Sequence, residues 1–340
     1  MPEGHTIHRL AAALNELYGG QNLHASSPQG RFADGASRLD GQVLLGGQAH
    51  GKHLFLPFGP RPDMPLDDAS VTWLRIHLGL YGSWTFDGDR EFTAPHAIGA
   101  PRRRVGERGE HALKGGGGSA LAGLKGGSVG VDPGEDTERT GADSRGCPAP
   151  DEWEPPEPRG AVRLRLLGRH GVADLTGPAA CELLDAEGVA AVRRRLGPDP
   201  LRPDADVEVF VAKARSRRKS IGELLMDQAV ISGAGNIYRA ETLFRVGVSP
   251  FRAGNRISEE RLRAIWEDLR PLMEYGVATG FITTVDLDDV PDPLPPDDPE
   301  AGRWYVYHRA GRPCLRCGTP VAEREMAARR LFWCPSCQAR

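Results

Sequence analysis

The chain has 340 residues, 39% hydrophobic and 26% charged, with a formal net charge of -3. This length exceeds one average domain, and the composition excludes a disordered or collagen-like chain. The charge excludes a uniformly basic protein but is unevenly placed: Lys213, Arg215, Arg217, Arg218 and Lys219 stand together without an acid, whereas every charge between 285 and 301 is acidic.

Residues 2–20 show no signal-peptide pattern, and no run of 18 apolar residues occurs, so a cytoplasmic chain without a membrane span is expected. The chain starts Met1-Pro2-Glu3-Gly4. Loss of Met1 would leave Pro2 with a free secondary amine, and an α-amino group titrates near ~7.7–8.0. An unprotonated amine is a nucleophile toward carbonyl-like carbons, and Glu3 beside it is an acid. Taken alone, the pair is equally an ordinary chain start. Residues 4–18 place Ile7, Leu10, Ala11, Leu14 and Leu17 at helical spacing. Short strands follow between turns, at 43–45, 53–58 and 71–77 among others, as in a β-sandwich or barrel.

Residues 101–159 are rich in Gly, Pro and charge, and cannot bury enough apolar area to offset their ordering entropy. They read as a disordered insertion within the first domain, with Cys147 incidental. Strands resume at 161–167 and continue to 175; a helix is expected over 178–195. Leu196-Gly197-Pro198-Asp199-Pro200 opens a hinge spanning 196–205. Helices are expected at 206–213, 220–230, 236–246 and 258–278. The segment 218–248 reads as two helices flanking Ser232-Gly233-Ala234-Gly235-Asn236. Asn236 is either a plain helix cap or part of a phosphate clamp with the basic stretch upstream.

Cys314-x-x-Cys317 and Cys334-x-x-Cys337 are separated by 16 residues. Four thiolates at this spacing form a structural zinc ribbon with no open coordination position. The seven arginines between Arg309 and Arg340 either contact phosphate or serve solubility. The fold class is multidomain α+β: a β-sandwich domain over 1–195, the hinge, a helical domain over 206–300 and the ribbon over 301–340.

Met1-Pro2-Glu3-Gly4, Gly51-Lys52 in a strand turn, Leu196-Gly197-Pro198-Asp199, Gly235-Asn236-Ile237-Tyr238 and the four-cysteine ribbon occur in this order. In that order they resemble the formamidopyrimidine-DNA glycosylase and endonuclease VIII family, over the whole chain except 101–159. The resemblance is to the endonuclease VIII branch, in an actinobacterial style. It implies a helix-two-turn-helix domain, one structural Zn2+, damaged DNA as partner, and a monomer near the nucleoid. It further implies a bifunctional DNA glycosylase and AP lyase acting on oxidised bases, pyrimidines more than purines. Pro2 would attack C1′ of a flipped-out nucleotide, Glu3 would protonate the sugar, Lys52 would assist β-elimination, and Arg329 would contact phosphate and serve δ-elimination. Arg195, Asn236 and Lys219 would contact the backbone, and Leu80 and Tyr81 would fill the gap in the stack. Thr6 stands where the family often has a second glutamate, and Gly79 where the branch has a polar side chain. An abasic-site lyase with weak base removal and a non-catalytic damaged-DNA-binding protein remain as alternatives.

Overall fold

The computed structural model describes residues 2–100 and 153–339. Most of the expected insertion, with Cys147, lies outside the described residues; 153–159 form no helix or strand.

The first helix, α1 (Gly4–Tyr18), buries Ile7, Leu10, Ala11 and Leu14, so the predicted apolar face is the one that packs. After it come β1 (Asn22–Ser26), α2 (Ala33–Leu39), β2 (Gln42–Leu44), β3 (Gln48–His50), β4 (His53–Gly59), β5 (Thr72–His77), β6 (Ser83–Gly88) and β7 (Ala97–Gly99). Beyond the undescribed segment lie β8 (Val162–Leu167), β9 (Gly171–Thr176) and β10 (Ala180–Leu184). The main path runs β10-β5-β4-β2-β1-β8-β9-β6-β7, with β3 on β4, every pair antiparallel. β1 pairs with β2 on one side and β8 on the other, joining the two halves of the sandwich. Leu54, Leu56, Leu74 and Ile76 from one half share a core with Trp84, Leu164, Leu166 and Leu175 from the other, and α1 contributes to the same core.

Two helical expectations change. Residues 178–195 are not one helix: β10 pairs along β5 and ends where Asp185 caps α3 (Ala186–Arg194), accepting from the Gly188 amide at 2.7 Å. An edge strand satisfied by its neighbour prevails here over helix propensity. Residues 220–230 yield only α5 (Ile221–Leu224), one turn fixed by a Ser220/Glu223 capping box. The Asp227 carboxylate then accepts from the Ala229 amide at 3.0 Å, turning the chain out of the helix.

The remaining helices, α4 (Val207–Arg215), α6 (Asn236–Arg245) and α7 (Glu259–Thr279), enclose a second core around Leu224, Tyr238, Leu243, Ile265 and Leu269. Helices α1 and α7 pack together, and Arg9 on α1 donates to the Val277 and Ala278 carbonyls at 2.9 and 2.8 Å, where α7 ends. A cation at a helix C-terminus meets its exposed carbonyls and dipole.

The ribbon carries a hairpin, β11 (Ala322–Met326) and β12 (Arg329–Trp333). It is tied back by Glu241 on α6, whose buried carboxylate accepts from the Tyr305, Val306 and Tyr307 amides at 2.7–2.9 Å. The acidic stretch after 285 is partly paired within the chain: Asp298 with Arg309 in the interior, and the more exposed Asp297 with Arg312 and Asp286 with Arg245. Among the described residues no helix is long and apolar enough to cross a membrane.

Candidate active site

A cavity of about 280 Å3 opens where α1, the β3–β4 turn and the ribbon hairpin meet. Pro2, Lys52, His77, Leu80, Gln228 and Arg329 are among the residues lining it.

Glu3 lies behind Pro2, only 1% exposed, at the N-terminus of α6. Its Oε1 accepts from the Ile237 amide at 3.0 Å, while Oε2 is buried and has no hydrogen-bond partner among the described residues. A side chain at Gly235 would put its Cβ 2.3 Å from the Glu3 carboxyl carbon, so a glycine is needed there. The next residue is clamped as well: the Gly4 amide donates to the Gly233 carbonyl at 2.8 Å, and a Cβ on Gly4 would meet Gly233 Cα at 2.6 Å.

Lys52 sits in the two-residue turn between β3 and β4, after Gly51. Gly51 has φ +58°, and a Cβ there would strike Ser232 at 2.8 Å. The turn is pinned from the 196–205 segment. The Gly51 amide donates to buried Asp199 at 2.7 Å, and that same oxygen meets His8 Nε2 of α1 at 2.8 Å. Burial would raise the Asp199 pKa, but its hydrogen bonds to His8, Gly51 and Leu201 outweigh burial and hold it below the usual carboxylate range.

The acid and the amine are tuned in opposite directions. Burial raises the Glu3 pKa despite the Lys52 charge and the backbone donors. Burial lowers the Lys52 pKa, opposed by Glu3 and reinforced by Arg329. A carboxyl whose pKa is raised and an amine whose pKa is lowered are shifted toward the roles of proton donor and proton acceptor.

Arg329 reaches the cavity through the ribbon hairpin, whose turn residues Ala327 and Ala328 have φ 55° and 54°. Buried Arg239 of α6 brackets this hairpin, donating to the Met326 carbonyl at 3.1 Å and the Arg330 carbonyl at 3.3 Å. Burial lowers its pKa to about 10, so the guanidinium remains charged near neutrality.

The four cysteine sulfurs lie within 4.8 Å of one another. Tetrahedral ligands ~2.3 Å from zinc stand ~3.8 Å apart, and the Cys314–Cys337 and Cys317–Cys334 sulfurs are 3.9 and 3.4 Å apart. Four sulfurs at this spacing fit a tetrahedral metal.

Residues 1–106 match the family described as formamidopyrimidine-DNA glycosylase N-terminal domain, 196–287 the formamidopyrimidine-DNA glycosylase H2TH domain, and 311–340 a zinc finger found in FPG and IleRS. Endonuclease 8 1 of Mycobacterium tuberculosis is 38% identical over 338 residues, covering 99% of this chain and all of that relative. The chain belongs to the formamidopyrimidine-DNA glycosylase and endonuclease VIII family. Formamidopyrimidine-DNA glycosylase of Xanthomonas campestris is 37% identical over 143 residues, 42% of this chain and 52% of that protein. In fold, the chain is similar to Lactococcus lactis Fpg solved with abasic-site DNA (TM-score 0.62, 18% identity, 99% and 100% coverage). It is also similar to MutM solved with carbocyclic 8-oxo-G DNA (TM-score 0.63, 18% identity, full coverage of both chains). The family is one of DNA glycosylases with AP lyase activity.

The sequence-derived residues divide by position in this family fold. Pro2, Lys52, Leu80 and Arg329 line the cavity, with Glu3 adjoining it. Leu80 and Tyr81 are 45% and 67% exposed. Gly79 before them has φ +68°, and a Cβ there would come within 2.7 Å of Ala179, so the loop's form excludes a side chain at this position. Arg195 and Lys219 are exposed and do not line the cavity. The Asn236 amide donates to the Arg330 carbonyl at 2.9 Å, and its oxygen accepts from Arg239. Its side chain is thus engaged in holding the ribbon. Reading the sequence missed Asp199, Arg239 and His77. Asp199 and Arg239 lie within or next to a quoted motif and His77 ends the strand expected at 71–77, but only the folded contacts reveal what each does.

Proposed function

We propose that the chain is a bifunctional enzyme of base excision repair that removes oxidised bases, pyrimidines foremost, and then cuts the strand at the resulting abasic site. The observation that carries this reading is convergence: Pro2 at the chain start, Lys52 from a strand turn and Arg329 from the ribbon line one cavity, with buried Glu3, its pKa raised, behind them.

In this reading, loss of Met1 frees the Pro2 amine. Its lone pair forms a bond to C1′, the base departs with the electrons of the glycosidic bond and takes up the proton that the nitrogen releases, and the nitrogen lone pair then breaks the C1′–O4′ bond as Glu3 protonates the ring oxygen. The Pro2 nitrogen is then an iminium, which acidifies C2′. Lys52, its pKa lowered by burial, takes the C2′ proton; the C3′–O bond breaks with its electrons going to phosphate. Arg329 steadies the departing phosphate and serves the second elimination. Leu80 and Tyr81 occupy the gap in the stack, Arg195 and Lys219 contact the backbone, and Asn236 contributes through the ribbon it holds, which carries Arg329. Zinc held by Cys314, Cys317, Cys334 and Cys337 supplies a structural closure that the short ribbon core lacks.

Borohydride with an abasic-site oligonucleotide should yield a covalent adduct with the wild-type protein and none with Pro2→Gly or Glu3→Gln. An adduct persisting in both variants refutes the mechanism. A second reading, a lyase that removes bases slowly, draws on Thr6, whose hydroxyl lies 3.2 Å from the ring of buried His5 and offers no carboxylate. A base-release assay on thymine glycol separates the two readings.

A further inference from the structure

Three histidines form a row across the sheet next to the cavity. The strand register sets His50 opposite His53, and His53 opposite His77. Lys52 lies in the turn joining the first two, and His77 lines the cavity. The rings of His53 and His77 are 4.9 Å apart. His50 is committed at the far end, its Nε2 lying 3.0 Å from the Gly197 carbonyl.

His53 is held by a second set of contacts. Nε and Nη2 of Arg75 lie 3.2 and 3.0 Å from its Nδ1. A guanidinium can only donate, so Nδ1 must accept and the ring proton resides on Nε2. Arg75 is itself steadied by Glu182 across the β5–β10 pair. Burial, then the charge of Arg75 and the neighbouring His77, His50 and Arg195, push the His53 pKa down to about 3. The ring is therefore neutral at physiological pH. Among the described residues, no side chain or carbonyl accepts from Nε2.

Two residues thus fix the tautomer of a third and leave its N–H available beside a lysine and a cavity-lining histidine. Resting on the reading of the cavity as a DNA site, we propose that His53 donates from Nε2 to a phosphodiester oxygen of the strand attacked by Pro2. A neutral donor orients the phosphate through the direction of its N–H, without a charge pair that salt would screen. Arg75 and Glu182 act as positioning residues for this contact.

The test is binding to a duplex with a tetrahydrofuran abasic analogue, measured across a salt series. A hydrogen bond to a charged phosphate is worth about tenfold or more in affinity. His53→Leu should weaken binding at least about tenfold and leave the slope of log Kd against log salt unchanged, because no counterion release is lost. His53→Gln, which restores an amide donor, should bind within about twofold of wild type. The wild-type ring should give the Nε2-protonated 15N signature, and its Nε2 resonance should move on adding the duplex. His53→Leu binding as tightly as wild type, a slope reduced by about 0.9, or an Nε2 resonance indifferent to DNA would each overturn the proposal. The 15N readout decides the matter even where the leucine variant fails to fold. Failure of the wild-type protein both to prefer the analogue over undamaged duplex and to form a borohydride adduct would instead refute the DNA-site reading.

Discussion

Gly235→Ala is the sharpest probe of how the acid is held. Gly235 has φ -130° and ψ -159°, a conformation open to alanine, so the substitution adds no backbone strain. The cost is steric. The new Cβ would lie 2.3 Å from the Glu3 carboxyl carbon, whereas real Cβ atoms keep at least 3.0 Å. The carboxyl must retreat by at least about 0.7 Å, and it has little room, because Gly4 is locked against Gly233. Its 3.0 Å hydrogen bond to Ile237 would lengthen or break. Overpacking a buried site costs about 1–3 kcal/mol, and a misplacement near 1 Å costs on the order of 100-fold in rate. Single-turnover borohydride trapping, with melting followed in parallel, separates the two effects. A melting temperature lowered by several degrees with trapping slowed about 100-fold is expected. Trapping within threefold of wild type would refute the claim that Glu3 works from this position.

Arg329→Gln should shift the rising limb of the pH profile for cleavage of a preformed abasic site. Burial and then Arg329 lower the Lys52 pKa, with Glu3 opposing, so removing Arg329 raises it and moves the limb to higher pH; a shift to lower pH contradicts the assignment. Cys314→Ser should abolish bound zinc, measured by elemental analysis, and weaken DNA binding, whereas an unchanged zinc content would refute the ribbon assignment. Tyr81→Ala should weaken binding to abasic DNA by about 1–3 kcal/mol with little change in melting, since the ring is 67% exposed; unchanged affinity would remove Tyr81 from the interface.

Local chemistry was the legible part of the sequence. The heptad-like spacing of Ile7, Leu10 and Leu14 marks α1 because one face must be buried, and the cysteine spacing marks the ribbon because tetrahedral geometry demands it. Pairing across distance was not legible. Nothing within 178–195 reveals that Ala180–Leu184 will find β5 as a partner, and nothing within 220–230 shows that the Asp227 side chain will compete with the helix. The same limit applies at the site. Asn236 looks like a terminus open to phosphate, yet its amide reaches a ribbon carbonyl 94 residues away. Asp199 reads as part of a turn-rich hinge, while its buried carboxylate ties α1 to the Lys52 turn.

The hydrogen bond between Glu3 and Ile237 joins the chain start to a helix of the second core. The proton affinity of the acid is therefore a collective property, because it depends on α6 shielding the carboxyl from water. Were α6 drawn away, hydration would lower the Glu3 pKa toward the ordinary carboxylate range and make it a weaker proton donor.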